Sequence, residues 1–154
     1  MENLLQPLLI IFSLVFSAFF SGMEIAFVSA NKLRLELTSK NSPWVGNMLS
    51  LHIENPSRFI TTALVGNNIT LVVFGILMAR FIEPKISSIF DIGNQSTILF
   101  IQTIITTSVV LVFGEFIPKV MLRLKSVLLL RFLIPVFQIF YYLLSPLVIV
   151  FMFL

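Results

Sequence analysis

The chain predicts an all-α integral membrane domain, and three observations carry that prediction. Hydrophobic residues make up 58% of the 154 positions and charged residues 11%, against about 45–50% and about 25% in soluble chains. Charge-free stretches run from Asn3 to Met23, Phe59 to Ala79 and Ile92 to Gly114, each close to the roughly 20 helical residues that cross a hydrocarbon core. The basic residues gather at the ends of these stretches and not on an amphipathic face interleaved with aromatics. That is the pattern of membrane flanks, and it argues against a nucleic-acid surface despite the net charge of +3.

Taken in order, the first stretch opens Met1-Glu2-Asn3 with no basic region before it, and it outruns the roughly 7–15 apolar residues of a signal peptide. It reads as a retained helix. Leu33, Leu35 and Leu37 alternate with Arg34 and Glu36, which fits a strand template; helix is favoured because a lone strand beside a bilayer has no pairing partner. Ser42-Pro43 has the form of an N-cap with proline at the first helical position. Trp44, Val45, Met48, Leu49 and Ile53 follow at helical spacing, so a short helix on the membrane interface is expected, with the lone His52 in solvent.

The second span lies between Arg58 and Arg80, and a loop carrying Arg80, Glu83, Lys85 and Asp91 leads to the third. Lys32, Arg34, Lys40 and Arg58 sit before the second span, and Lys119, Arg123, Lys125 and Arg131 after the third. This asymmetry predicts a cell-membrane protein with its N-terminus outside and its C-terminus cytoplasmic. A fourth apolar run, Phe132 to Leu154, contains Pro135 and Pro146. Two readings stay open for it: a further crossing, or proline-bent helices lying in the interface around the other three.

Polar or helix-breaking residues interrupt the spans at Ser17 to Glu24, at Gly66-Asn67-Asn68 and at Gly114 to Lys119. Unsatisfied polar groups are costly at such depth, so broken helices with freed ligands are expected. Pro118 has no N–H to donate, and its ring clashes with the carbonyl four residues earlier, that of Gly114. At 1.5 Å per residue, Asn67 lies about 14 Å from Arg58, Ser21 about 16 Å from Lys32 and Gly114 about 14 Å from Arg123, so the three interruptions share one depth. Hydroxyls, amide oxygens, carbonyls and one carboxylate form a hard donor set for Mg²⁺, Na⁺ or Ca²⁺. Without cysteine no thiolate site exists. Bland alternatives accompany each residue: Ser13, Ser17 and Ser21 recur every four positions as a packing ridge would, Asn67 and Asn68 would serve as helix cross-links, and Glu24 stands near a boundary as a solvated carboxylate. Glu115, after a charge-free span, is a functional candidate.

Phe16-Ser17-Ala18-Phe19-Phe20-Ser21-Gly22-Met23-Glu24-Ile25-Ala26, Gly66-Asn67-Asn68 and Gly114-Glu115-Phe116-Ile117-Pro118-Lys119 together resemble the CorC/CNNM group of magnesium transport proteins, over a single membrane domain covering 1–154. The resemblance implies a homodimer with three membrane helices per protomer and a belt of cytoplasmic juxtamembrane helices, the fourth apolar run included. It implies Mg²⁺ held by Ser17, Ser21, Asn67, Gly114 and Glu115, with Gly22, Glu24, Gly66, Asn68 and Pro118 in support. It further implies Mg²⁺ export, with Na⁺ coupling proposed in the family, and cytoplasmic CBS modules beyond this domain. Met23 departs from the serine that many bacterial relatives carry there, so any ligand at that position would be backbone. Two functions compete: a Mg²⁺ transporter, and a membrane scaffold or cation sensor that relays to cytoplasmic modules. No nucleophile–base pair favours an enzyme.

Overall fold

The computed structural model describes residues 2–41, 43–90 and 94–153, and among them every regular element is helical. In chain order these are α1 (Glu2–Ser29), α2 (Lys32–Lys40), α3 (Pro43–Glu54), α4 (Pro56–Phe90), α5 (Gln95–Val109), a π-helical segment (Val110–Phe116), α6 (Ile117–Leu124), α7 (Ser126–Leu143) and α8 (Ser145–Phe153). Four stretches are long and apolar enough to cross a membrane: Leu4–Ser29, Pro56–Ser88, Gln95–Leu124 and Ser126–Leu143. The protein is a multi-pass membrane protein.

The helices expected to be broken are mostly intact. α1 runs unbroken through Ser17–Glu24 and α4 through Gly66-Asn67-Asn68. In lipid the cheapest partner for a backbone N–H is the carbonyl of its own helix, and a lone glycine does not outweigh that. The third interruption widens the helix instead of breaking it: Ile117 N–H bonds to the Val112 carbonyl, five residues back, and the chain continues helically to Leu124. The loop expected after Ala79 is also helix, since α4 carries Arg80, Glu83 and Lys85 on to Phe90. The Asp91–Ile92 boundary and the Ser42 cap lie outside the described residues, although α3 does begin at Pro43.

α1 and α4 pack antiparallel, the Phe27 ring stacking on Phe59 at 4.2 Å while Ile10 shares a cluster with Phe74 and Met78 further along. The other core joins α1, α2, α3, α4 and α7 through Phe20, Met23, Leu35, Leu49, Phe59 and Ile134. Burying Met23 there makes it a packing residue. α2 is the helix favoured over the strand, with the Asn31 side chain accepting from Leu33 N–H at 2.9 Å. The fourth apolar run is two helices, because the chain turns at Leu144. α7 starts before Arg131 and lies across α1, α3 and the first turns of α4; α8 then follows α4, with Leu147 and Phe151 opposite Thr61, Leu64 and Val65.

His52 is fully buried, contrary to the solvated side chain expected of it. α3 lies with this face against α7, where the His52 Nε2 meets Gln138 Oε1 at 2.8 Å and its ring meets Phe59, Phe137 and Tyr141 edge to face. A partner 86 positions away makes that burial tolerable.

Candidate ion site at the crossing of three helices

Close approach of α1, α4 and the π-helical segment comes from two glycines. A Cβ on Gly66 would sit 2.5 Å from the Phe20 ring, and one on Gly114 would sit 3.1 Å from Ser17 Oγ. Glycine at these positions lets one backbone reach the next helix's side chains. Gly22 does the same for α6, where a Cβ would meet Leu122 at 2.8 Å.

At that crossing Ser17 donates its hydroxyl to Asn67 Oδ1 at 2.8 Å, both side chains buried. Ser21, one turn along, is fully buried, and its Oγ has no partner among the described residues. Ser13, one turn the other way, is satisfied by the Ile10 carbonyl at 2.8 Å. The three-serine ridge is thus differentiated: one hydroxyl bonds its own helix, one bonds α4, and one is left over. Thr70 donates towards the Gly66 and Asn67 carbonyls at 2.6 and 2.9 Å, fixing the backbone that presents Asn67. Pro118 is buried in the first turn of α6, directly after the π-helical segment.

Ser17, Asn67 and Gly114 therefore meet, with Ser21 adjacent on the same helix face. Glu115 does not join them. Its half-exposed carboxylate pairs with Lys119 at 3.7 Å and lines a groove bounded by Leu111, Val112 and Phe116 of its own segment. Asn68 is exposed, about 100° round α4 from Asn67. Glu24 is half-buried on α1, and the one ion pair among the described residues is not its own.

A model of the cyclin M transmembrane N-terminal domain matches residues 8–154, an interval that holds every residue of this crossing. The chain belongs to the cyclin M family. This cyclin M domain is also 30% identical over 103 residues to the UPF0053 inner membrane protein YfjD of Escherichia coli (strain K12), a match covering 67% of the chain and 22% of that relative. The chain spans about a fifth of the length of the curated relative it matches.

Two polar residues of the cyclin M domain escaped the reading of its sequence. Gln102 is buried on α5, and its Oε1 has no partner among the described residues; nor has the buried hydroxyl of Thr106, one turn on. Their i, i+4 spacing inside a charge-free span was the available signal.

Proposed function

We propose that this domain transports Mg²⁺, with Ser17, Ser21, Asn67 and the Gly114 carbonyl lining the ion's passage and Glu115 supplying negative charge beside it. The observation that carries the reading is the buried Ser17–Asn67 pair set against Gly114, with the unpartnered Ser21 hydroxyl next to it. Neutral hard oxygens at the centre of a membrane bundle suit an ion that keeps part of its water shell and must also leave. Pro118 offers the Gly114 carbonyl no N–H, which leaves that oxygen available. Glu115 reaches the ion by exchanging Lys119 for it. Export, Na⁺ coupling, a homodimeric working unit, an outside N-terminus and regulation by cytoplasmic CBS modules complete the proposal, on the strength of the family.

A second reading, a scaffold or cation sensor, draws on the same pair, since Ser17 and Asn67 satisfy one another as a structural cross-link would. Flux separates the two. Liposomes holding a magnesium-sensitive dye and the purified domain should show Mg²⁺ movement that Asn67→Ala abolishes and Asn68→Ala largely spares. In detergent, Mg²⁺ at about a hundredfold excess over Kd should stabilise the parent by roughly 2.7 kcal/mol, and Asn67→Ala should lose this. Stabilisation without flux would favour the sensor. Mg²⁺ acting equally on parent and Asn67→Ala would remove the site altogether.

A further inference from the structure

A groove of about 510 Å³ lies between α2 and the corner where α6 meets α7. Arg34 and Thr38 line one wall, Lys125, Ser126 and Arg131 the other, and among the described residues no acidic one lines it. The ion pair found among the described residues involves none of these three cations. Ser126, Val127 and Leu128 form the first turn of α7, an 18-residue helix with no side-chain cap, so their N–H groups are the helix's orphan donors. The polar side chains lining this surface are therefore all cations or hydroxyls, a set complementary to an anion with several acceptor oxygens.

The rim of the groove is apolar. Leu124 is 80% exposed, Leu128 53% and Phe132 70%, and the first two line the groove alongside the cations. A free anion has no use for such a rim, while a lipid has acyl chains to lay against it. We propose that this groove binds one anionic phospholipid, its phosphate between Arg34, Lys125 and Arg131 and its chains along Leu124, Leu128 and Phe132. Arginine provides a planar fork for phosphate oxygens and lysine a point charge. Bound there, the lipid links α2 to the α6–α7 corner, between which no hydrogen bond or ion pair passes among the described residues. Lipid binding in this groove is independent of whether the domain transports Mg²⁺.

The test uses the purified chain, delipidated in neutral detergent and titrated separately with phosphatidylglycerol, phosphatidylcholine and inorganic phosphate. Melting temperature and native mass spectrometry are the readouts. Phosphatidylglycerol should raise the melting temperature and remain bound at one molecule per chain, and phosphatidylcholine should do neither. Arg34→Gln, Lys125→Gln and Arg131→Gln should each weaken phosphatidylglycerol binding roughly fivefold, the effect of removing one basic residue near an anionic headgroup. Lys40→Gln and Lys85→Gln should leave it unchanged, and Arg131→Lys, which keeps the charge but not the fork, should lose less than Arg131→Gln, which guards against a variant that merely folds poorly. Equal binding of phosphatidylcholine, a triple glutamine variant that binds like the parent, or equal losses at Lys40 and Lys85 would each overturn the site. Inorganic phosphate reproducing the whole thermal shift would overturn the lipid as its occupant.

Discussion

His52 sits between three aromatic rings with its Nε2 hydrogen directed at the Gln138 amide oxygen. Its Nδ1 has no partner among the described residues, so a second proton would place an unsolvated charge beside the Arg58 guanidinium. Burial, with a smaller contribution from Arg58, pulls its pKa from 6.5 down to about 4. The folded state thus binds the proton less readily than the unfolded chain does. The stability held by the neutral ring is full above about pH 6.5, falls as pH drops towards 4 and levels off below, a loss of about 3 kcal/mol. Unfolding followed against pH should show that His52→Gln lacks this component, visible as a difference between the two curves confined to that window. A difference that stays flat from pH 7 to 4 would rule out the neutral buried histidine. Nothing near His52 in sequence announces Gln138, which explains why its burial was illegible. Ser17 and Asn67 were legible because polar side chains deep in apolar spans stand out wherever the chain folds.

Among the elements, the π-helical segment shows how a proline is absorbed without breaking a membrane helix. Pro118 removes one donor and crowds the carbonyl of Gly114, and a turn bonded five residues apart moves the register past the conflict while the helix continues. The sequence Gly114 to Pro118 showed that something must yield there. It could not show whether the helix would stop, kink or widen, since that depends on α1 packing against Gly114. Pro118→Ala restores the donor and lets ordinary helix close through the segment. Losing one residue from the wide turn rotates the two flanking stretches of helix relative to each other by about 100°, withdrawing Gly114 and Glu115 from their present setting. Under the transport reading, this variant should show a smaller Mg²⁺-dependent rise in melting temperature than the parent, whatever its own melting temperature without Mg²⁺. A rise equal to the parent's would mean that the wide turn serves packing and not ion binding.

Across the whole molecule, α4 acts as a ruler for placing the bilayer. Arg58 and Arg80 stand about 33 Å apart along it, with no charge between them, matching a hydrocarbon core of about 30 Å. Arg58 belongs to the end of the bundle where α2, α3 and the α6–α7 corner gather, held by Ser145 at 2.6 Å and lying 4.7 Å from the Tyr141 ring. The helical turns bearing Arg80, Glu83 and Lys85 project from the opposite end. The charge-free windows located these spans well because hydrocarbon tolerates so few charges. The position of the apolar α7 and α8 was not legible, since packing on α1, α3 and α4 places them and hydropathy does not distinguish that surface from lipid. Basic residues concentrate at the Arg58 end, where Lys32, Arg34, Lys40, Arg123 and Lys125 lie on segments that adjoin it. Positive charge is retained on the cytoplasmic side, so that end should face the cytoplasm. The chain contains no cysteine, so Lys40→Cys, Arg123→Cys and Lys85→Cys each introduce a single reporter at an exposed position. With an impermeant thiol reagent on intact cells, the cysteine at 85 should label, and those at 40 and 123 should label only after the membrane is opened. The reverse pattern would invert the molecule. Labelling of 40 and 123 on opposite sides would instead show that α1, α4 and the helix from Gln95 to Leu124 do not traverse the bilayer as three antiparallel spans.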